Sequence, residues 1–299
     1  MRWVAVCALL ALTFAYPSAA FMRESYRALI VLDITQSMNT VDRAWEGGPV
    51  SRFEFAKRSI SRALLDLPCG SEVGLAIFTE YRAFLLLSPV EVCANYQELA
   101  GTLMRINGQM AWAGASEIAK GLNFTLRLAK GLDSALVFIT DGHEAPPLHS
   151  QHRPKLGEDR VPGLIAGVGA LSLSPIPKFG PDGKPLGYWS ADEVLQTDTL
   201  SLGRGGSGEG MVDSEGKPIA IQKRSGTEHL SALKETHLIE LARQAELNYQ
   251  RLDGPLAEAI ETSALARRAP ADSDLRWVFA ALALMLSLPL TRLRRTSNT

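Results

Sequence analysis

Cysteine, histidine, net charge and long apolar runs are all scarce in this chain, and each shortage closes off a class of function. Three Cys and five His in 299 residues leave few candidates for thiol chemistry, and no Ser-His-Asp order emerges. The one local histidine group, His143-Glu-Ala-Pro-Pro-Leu-His149 with His152, departs from H-E-x-x-H. Pro146 and Pro147 prevent the regular helix on which that zinc motif depends, so the group reads as a solvated loop. The glycine-rich run Gly203 to Gly210 lacks the order G-x-x-x-x-G-K-[ST] and reads as a flexible loop rather than a phosphate cradle. A formal charge of -1 and a pI near 6.5 give no general attraction to nucleic acid. There is no internal repeat, and the length, less two hydrophobic ends, suits one large α/β domain.

What is present begins at Arg27-Ala-Leu-Ile-Val-Leu-Asp33-Ile-Thr35-Gln-Ser37-Met38. The apolar run from Ala28 to Leu32 has the pattern of a central parallel strand, and one carboxylate and two hydroxyls follow at alternate positions where it stops. A second run, Ala135-Leu-Val-Phe-Ile139, ends in Thr140-Asp141-Gly142. Between them Gly114-Ala-Ser116 leads into an amphipathic stretch, placing a hydroxyl at the expected N-cap of a helix. Turn and capping chemistry explains each of these residues singly. Together, three hydroxyls and two carboxylates at strand ends make the kind of oxygen-rich cluster that holds a hard cation, at the sheet edge where α/β proteins bind ligands.

The spacing resembles the von Willebrand factor A family and its metal-ion-dependent adhesion site, over roughly Tyr26 to Arg268. In that family D-x-S-x-S, a Thr on a later loop and a strand-terminal Asp hold magnesium. The matching positions here are Asp33, Thr35 and Ser37, then Ser116, then Asp141, with Thr35 and Ser116 each exchanging one hydroxyl residue for the other. The resemblance implies Mg²⁺, with Ca²⁺ or Mn²⁺ as alternatives. It also implies a partner protein whose Asp or Glu carboxylate completes the coordination shell.

Strand and helix patterns alternate, predicting a doubly wound, mostly parallel sheet flanked by helices, with one antiparallel edge strand from the hairpin Val73 to Leu87. Helices are expected over Arg52 to Leu67, Ser116 to Lys130, Ser231 to Leu247 and Pro255 to Arg267, and strands over Leu164 to Val168 and Asn248 to Leu252. Between 170 and 227 the periodicity fails and Gly and Pro accumulate, which marks an insertion. Within it, Ile176 to Trp189 reads as a hairpin around Asp182-Gly183. Tyr188 and Trp189 are either partner anchors or residues that pack the hairpin onto the domain.

The ends set the location. Arg2, an apolar run to Phe14 and Pro17-Ser-Ala-Ala20 read as a signal peptide over residues 1–20, with a retained anchor as the alternative. Export leaves Cys69 and Cys93, an even count that is expected to pair, with two buried thiols as the alternative. Leu275 to Leu293 extends about 28 Å as a helix, enough for one short membrane span with snorkelling arginines, with an amphipathic or packed terminal helix as the alternative. Arg292, Arg294 and Arg295 then place the tail 294–299 in the cytoplasm and the domain 26–268 in the periplasm of a bacterial inner membrane.

The expected function is therefore metal-dependent binding of an extracytoplasmic protein, with no enzyme activity. Resemblance to proteins encoded beside MoxR-type ATPases and in methanol-oxidation clusters implies a role in assembly or metal loading of a periplasmic quinoprotein dehydrogenase. A metal-dependent phosphohydrolase is the alternative, weakened because such enzymes usually carry D-x-D and Thr35 holds the second position here. A structural domain with an empty site is the third reading.

Overall fold

A computed structural model describes residues 2–111, 114–147, 156, 159–194, 226–264 and 266–287. In chain order the elements are α1 (Arg2–Ala15), β1 (Ser18–Ser25), β2 (Arg27–Asp33), β3 (Val41–Trp45), β4 (Gly48–Ser51), α2 (Arg52–Asp66), β5 (Glu72–Thr79) and β6 (Arg82–Glu91). Then follow α3 (Tyr96–Arg105), α4 (Ile118–Gly131), β7 (Ala135–Thr140), β8 (Gly163–Gly167), β9 (Ser174–Pro175), β10 (Pro177–Phe179) and β11 (Pro185–Tyr188). The last are β12 (Leu230–Ser231), α5 (Glu235–Ala245), β13 (Asn248–Arg251), α6 (Leu256–Ser263), β14 (Arg267–Asp274) and α7 (Arg276–Ser287).

The chain divides into two units, Ser25–Arg267 and a smaller one made of both termini. In the larger unit six strands form one sheet in the order β13-β8-β7-β2-β5-β6. Every pairing is parallel except β5 with β6, so the predicted antiparallel edge is present. Period-two alternation splits the core in two. Ile30 and Leu32 of β2 face Phe53, Ile60 and Leu64 of α2 and Ile260 of α6, while Leu29 and Val31 belong to the opposite face with Leu122 and Leu126 of α4 and Leu238 of α5. On that second face Gly121 lets α4 approach β5, since a Cβ there would lie 2.0 Å from the Phe78 ring.

This order determines where the site falls. From β2 the chain moves one way to β5 and β6, then crosses back to β7 on the other flank of β2. The carboxyl ends of β2 and β7, in register at Leu32 and Ile139, therefore open a crevice at the point of reversal. Asp33 and Asp141 sit at those two ends.

Several expected bounds shift. The helix expected from Ser231 starts at Glu235, because Ser231 pairs with Ser174 as a strand residue. The last expected helix stops at Ser263, and the chain then enters β14. The hairpin β10–β11 turns through Gly183 at φ +75°, as Asp182-Gly183 suggests. A disulfide joins Cys69 and Cys93 with their Cα atoms 5.4 Å apart. The rest of the insertion, 195–225, lies outside the described residues, as does the run Gly203 to Gly210.

In the smaller unit α1 and α7 lie against each other and β1 pairs with β14, with Leu275 N donating to Pro17 O at 3.0 Å. The predicted cleavage point after Ala20 falls inside β1. Among the described residues no helix is long and apolar enough to cross a membrane. Helix α7 has 12 residues, and the remainder of the expected span, with its arginines, lies outside the described residues.

Candidate metal centre

Four of the five predicted ligands are buried together, and three of them, Asp33, Thr35 and Ser37, are hydrogen-bonded to one another. As β2 ends, the Asp33 carboxylate turns back on its own chain. Its Oδ1 accepts from Thr35 N at 2.9 Å and Thr35 Oγ1 at 2.7 Å, and its Oδ2 accepts from Thr140 Oγ1 on β7 at 2.6 Å. Thr35 starts a 3-10 turn, Gln36–Asn39, that brings Ser37 Oγ to 3.4 Å from Thr35 Oγ1. The Ser37 hydroxyl is also near enough to Asp141 to help lower the pKa of that carboxylate. Both oxygens of Asp141 accept hydrogen bonds: Oδ1 from His143 N at 3.0 Å, and Oδ2 from Arg52 and Ser231.

Ser116, the fifth, reaches the same place by a different route from the one expected. Helix α4 begins at Ile118, and its first N–H groups are taken by Glu144, whose carboxylate oxygens accept from Ile118 N at 2.9 Å and Ala119 N at 3.0 Å. That carboxylate at a helix N-terminus does the capping that the sequence assigns to Ser116. Ser116 instead makes paired backbone hydrogen bonds with Ala145, at 2.7 and 2.8 Å. Its freed Oγ is buried without a hydrogen-bond partner and lines one cavity with Thr35 and Ser37.

The loop after Asp141 also departs from expectation. His143 and Glu144 are buried where a solvated loop is expected, because Gly142, at φ +74°, turns the chain inward so closely that a Cβ would lie 2.8 Å from Leu238. Glu144 is further held by His237 Nε2 at 3.1 Å. Burial keeps the His143 imidazole below its ordinary pKa, so it adds no charge at neutral pH. His149 and His152 lie outside the described residues.

One buried residue at the site has no counterpart in the predicted set. Arg52, the first residue of α2, is 0% exposed; its Nη1 donates to Asp141 Oδ2 and to Ser231 Oγ, each at 2.6 Å. Its Nη2 donates to Asp42 Oδ2 at 2.6 Å, and Asp42 in turn accepts from Ala170 N at 2.9 Å. Its partners lie 10, 89 and 179 residues away in sequence. No local pattern marks it.

Charge and donor type decide what fits. Three carboxylates with covered side chains, Asp33, Asp42 and Asp141, face one buried guanidinium, a formal excess of two negative charges and so a deficit of positive charge. The strain falls on Asp33, which burial and the neighbouring Asp141 push up to about 7. Asp141 moves the other way: burial would raise it, but Arg52, together with His143 and Ser37, outweighs this and holds it low. A divalent cation would balance the deficit, and an all-oxygen donor set with an unpartnered hydroxyl suits a hard one. The residues therefore fit Mg²⁺. Among the described residues the one group of Cys, His or carboxylate ligands close enough to share an ion is Cys69, Glu91 and Cys93. There the sulfurs are bonded to each other and Glu91 accepts from Gly70 N and Ala94 N, so no ligand set remains.

Residues 28–143 match the von Willebrand factor type A domain, a segment that starts five residues before Asp33 and ends two after Asp141. No curated protein matches. Among solved structures, an aerotolerance-related membrane protein from Bacteroides fragilis is 22% identical, covering 80% of this chain and 96% of its own, with a TM-score of 0.50. BatB from Bacteroides thetaiotaomicron is 21% identical over 80% of this chain and 98% of its own, with a TM-score of 0.48. The PilB minor pilin of Streptococcus sanguinis is 14% identical over 88% and 62%, with a TM-score of 0.40. The first of these likenesses speaks for the fold: a mixed α/β domain with a largely parallel central sheet.

Proposed function

We propose that this domain is a metal-dependent protein-binding module on the extracytoplasmic face of a membrane. Thr35, Ser37 and Ser116 would hold Mg²⁺, with Asp33 and Asp141 beside them. The cation, when bound, supplies an electrophilic place for a partner's carboxylate. The observation that carries this reading is the buried, unpartnered Ser116 hydroxyl in the same cavity as Thr35 and Ser37, beside a cluster two positive charges short of neutrality.

The chain's own residues favour binding over turnover. Both oxygens of Asp33 already accept hydrogen bonds from Thr35 and Thr140, which leaves it poorly placed to attack a phosphoester. The sequence of the two ends supports an exported domain on a C-terminal anchor, with the basic tail inside. The resemblance to proteins of methanol-oxidation clusters supports a periplasmic quinoprotein dehydrogenase as the partner to try first.

Affinity capture from solubilised membranes, with and without a chelator, tests this. Wild type should retain a partner only with Mg²⁺, and Asp141→Ala should retain none while still folding. Capture that is indifferent to chelation removes the metal from the proposal.

A further inference from the structure

The insertion walls the metal site with a largely apolar surface, interrupted by Glu193 and, just past the insertion, by Glu228. The cavity floored by Ser37 and Ser116 has a volume of about 310 Å³, and Pro146, Ile176, Trp189 and Val194 line its sides. Three of those four belong to the insertion. They are fastened in place: Trp189 N donates to Ile176 O at 3.0 Å, and the Lys178 ammonium lies 4.5 Å from the centroid of the Trp189 ring. Lys178 is itself ion-paired to Glu193. The segment leading into this wall is also pinned, where Ser174, two residues before Ile176, pairs with Ser231, the residue that shares Asp141 with Arg52. Within this wall the Trp189 indole N–H is buried without a partner.

A flat protein face would not reach hydroxyls at the floor of such a cavity. A protruding side chain would, and its neighbour would meet the apolar wall. Resting on the metal-dependent reading above, we infer that the site takes an extended peptide segment of the partner in which an Asp or Glu stands beside a large apolar residue. The carboxylate goes to the floor, where the charge deficit calls for a cation and the cation for an anion. The apolar side chain packs on Ile176, Trp189 and Val194. Core strands thus select the acid, and the insertion selects its neighbour.

Calorimetry on the full chain in detergent with Mg²⁺ tests this with three capped dipeptides: acetyl-Leu-Glu-amide, acetyl-Ser-Glu-amide and acetyl-Leu-Gln-amide. Burying the extra methyl and methylene groups of Leu should make the first bind about tenfold tighter than the second. The third should show no saturable binding, and chelator should abolish the rest. Ile176→Ala should bring the Leu-Glu and Ser-Glu affinities together while leaving the Mg²⁺-induced thermal shift unchanged. Equal Mg²⁺-dependent affinities for the two acidic peptides overturn the pocket and leave the metal reading intact. Leu-Glu binding that survives chelation overturns the metal reading itself. Absence of binding by all three, or hexanoate binding as tightly as Leu-Glu, rules out a peptide-reading pocket.

Discussion

Replacing Arg52 by Met tests the electrostatic design of the site most directly. The substitution keeps an unbranched apolar stem of similar reach and removes a guanidinium that is wholly buried and bonded to Asp42, Asp141, Ser231 Oγ and Ser231 O. Burial alone would lower the Arg52 pKa, but Asp141 and Asp42 outweigh it, so the charge is held firmly at all working pH values. Removing one member of a buried ionic network leaves its partners uncompensated and typically costs about 3–5 kcal/mol. For a domain of this size that is a fall of roughly 10 °C in Tm. The assay is thermal and urea unfolding of the full chain in chelator. Arg52→Met with Asp42→Leu should recover part of the loss, because one of the stranded carboxylates goes too. A single variant within about 1 kcal/mol of wild type would refute the idea that Arg52 neutralises this cluster.

Asp33 sets a pH dependence. Its pKa is raised from 3.8 to about 7, so the chelated native state holds a proton that the unfolded chain releases. Stability should therefore fall as pH rises from about 4 to 7, by about 4 kcal/mol once both values are passed. Asp33→Asn should flatten that slope in a series of unfolding curves from pH 4 to 8, and a flat wild-type profile would count against the buried charge. Asp141, held below the ordinary range by Arg52, contributes in a separate window, with stability lost only as pH falls through its depressed value. Replacing Cys69 and Cys93 together by Ser should cost about 3 kcal/mol in urea unfolding, from the loop of 24 residues that the bridge closes. Intact-mass measurement of membrane-extracted protein addresses the N-terminus: a chain starting at Phe21 shows removal of α1 and the first part of β1, and a chain retaining α1 shows that the predicted signal is an anchor.

The parts of this protein that are local in sequence were readable in it. The apolar runs of β2 and β7 stop where their polar residues begin, so the positions of Asp33 and Asp141 at a shared sheet edge follow from burial on both faces. The hairpin through Gly183 was likewise announced by its turn residues. What could not be read is what depends on distant partners. Arg52 looks like any polar residue opening a helix after Ser51, whose Oγ caps Glu54 N at 3.1 Å, until Asp42, Asp141 and Ser231 are brought around it. Glu144 follows a Thr-Asp-Gly-His run that suggests a solvated loop, and only the approach of α4 gives its carboxylate two helix N–H groups to bind. Ser231 reads from sequence as the start of a helix, whereas pairing with the distant Ser174 makes it a strand residue.

These same long-range contacts join two parts of the molecule that composition separates. Asp42 accepts from Ala170 N where the insertion leaves the core, and Arg52 bonds to Ser231 just past its return. Both ends of the insertion are thus tied to the ion-paired cluster that also orients Asp141. The charge balance at the floor of the cavity and the position of its apolar wall then depend on one set of bonds. A cation that relieves the floor would favour the arrangement in which the wall is held, and a ligand that packs on the wall would favour the cation in equal measure, as linkage requires. If the metal-dependent reading holds, removing the insertion should therefore weaken cation binding as well as the preference for an apolar neighbour, since Ala170 and Ser231 would no longer brace Asp42, Arg52 and Asp141.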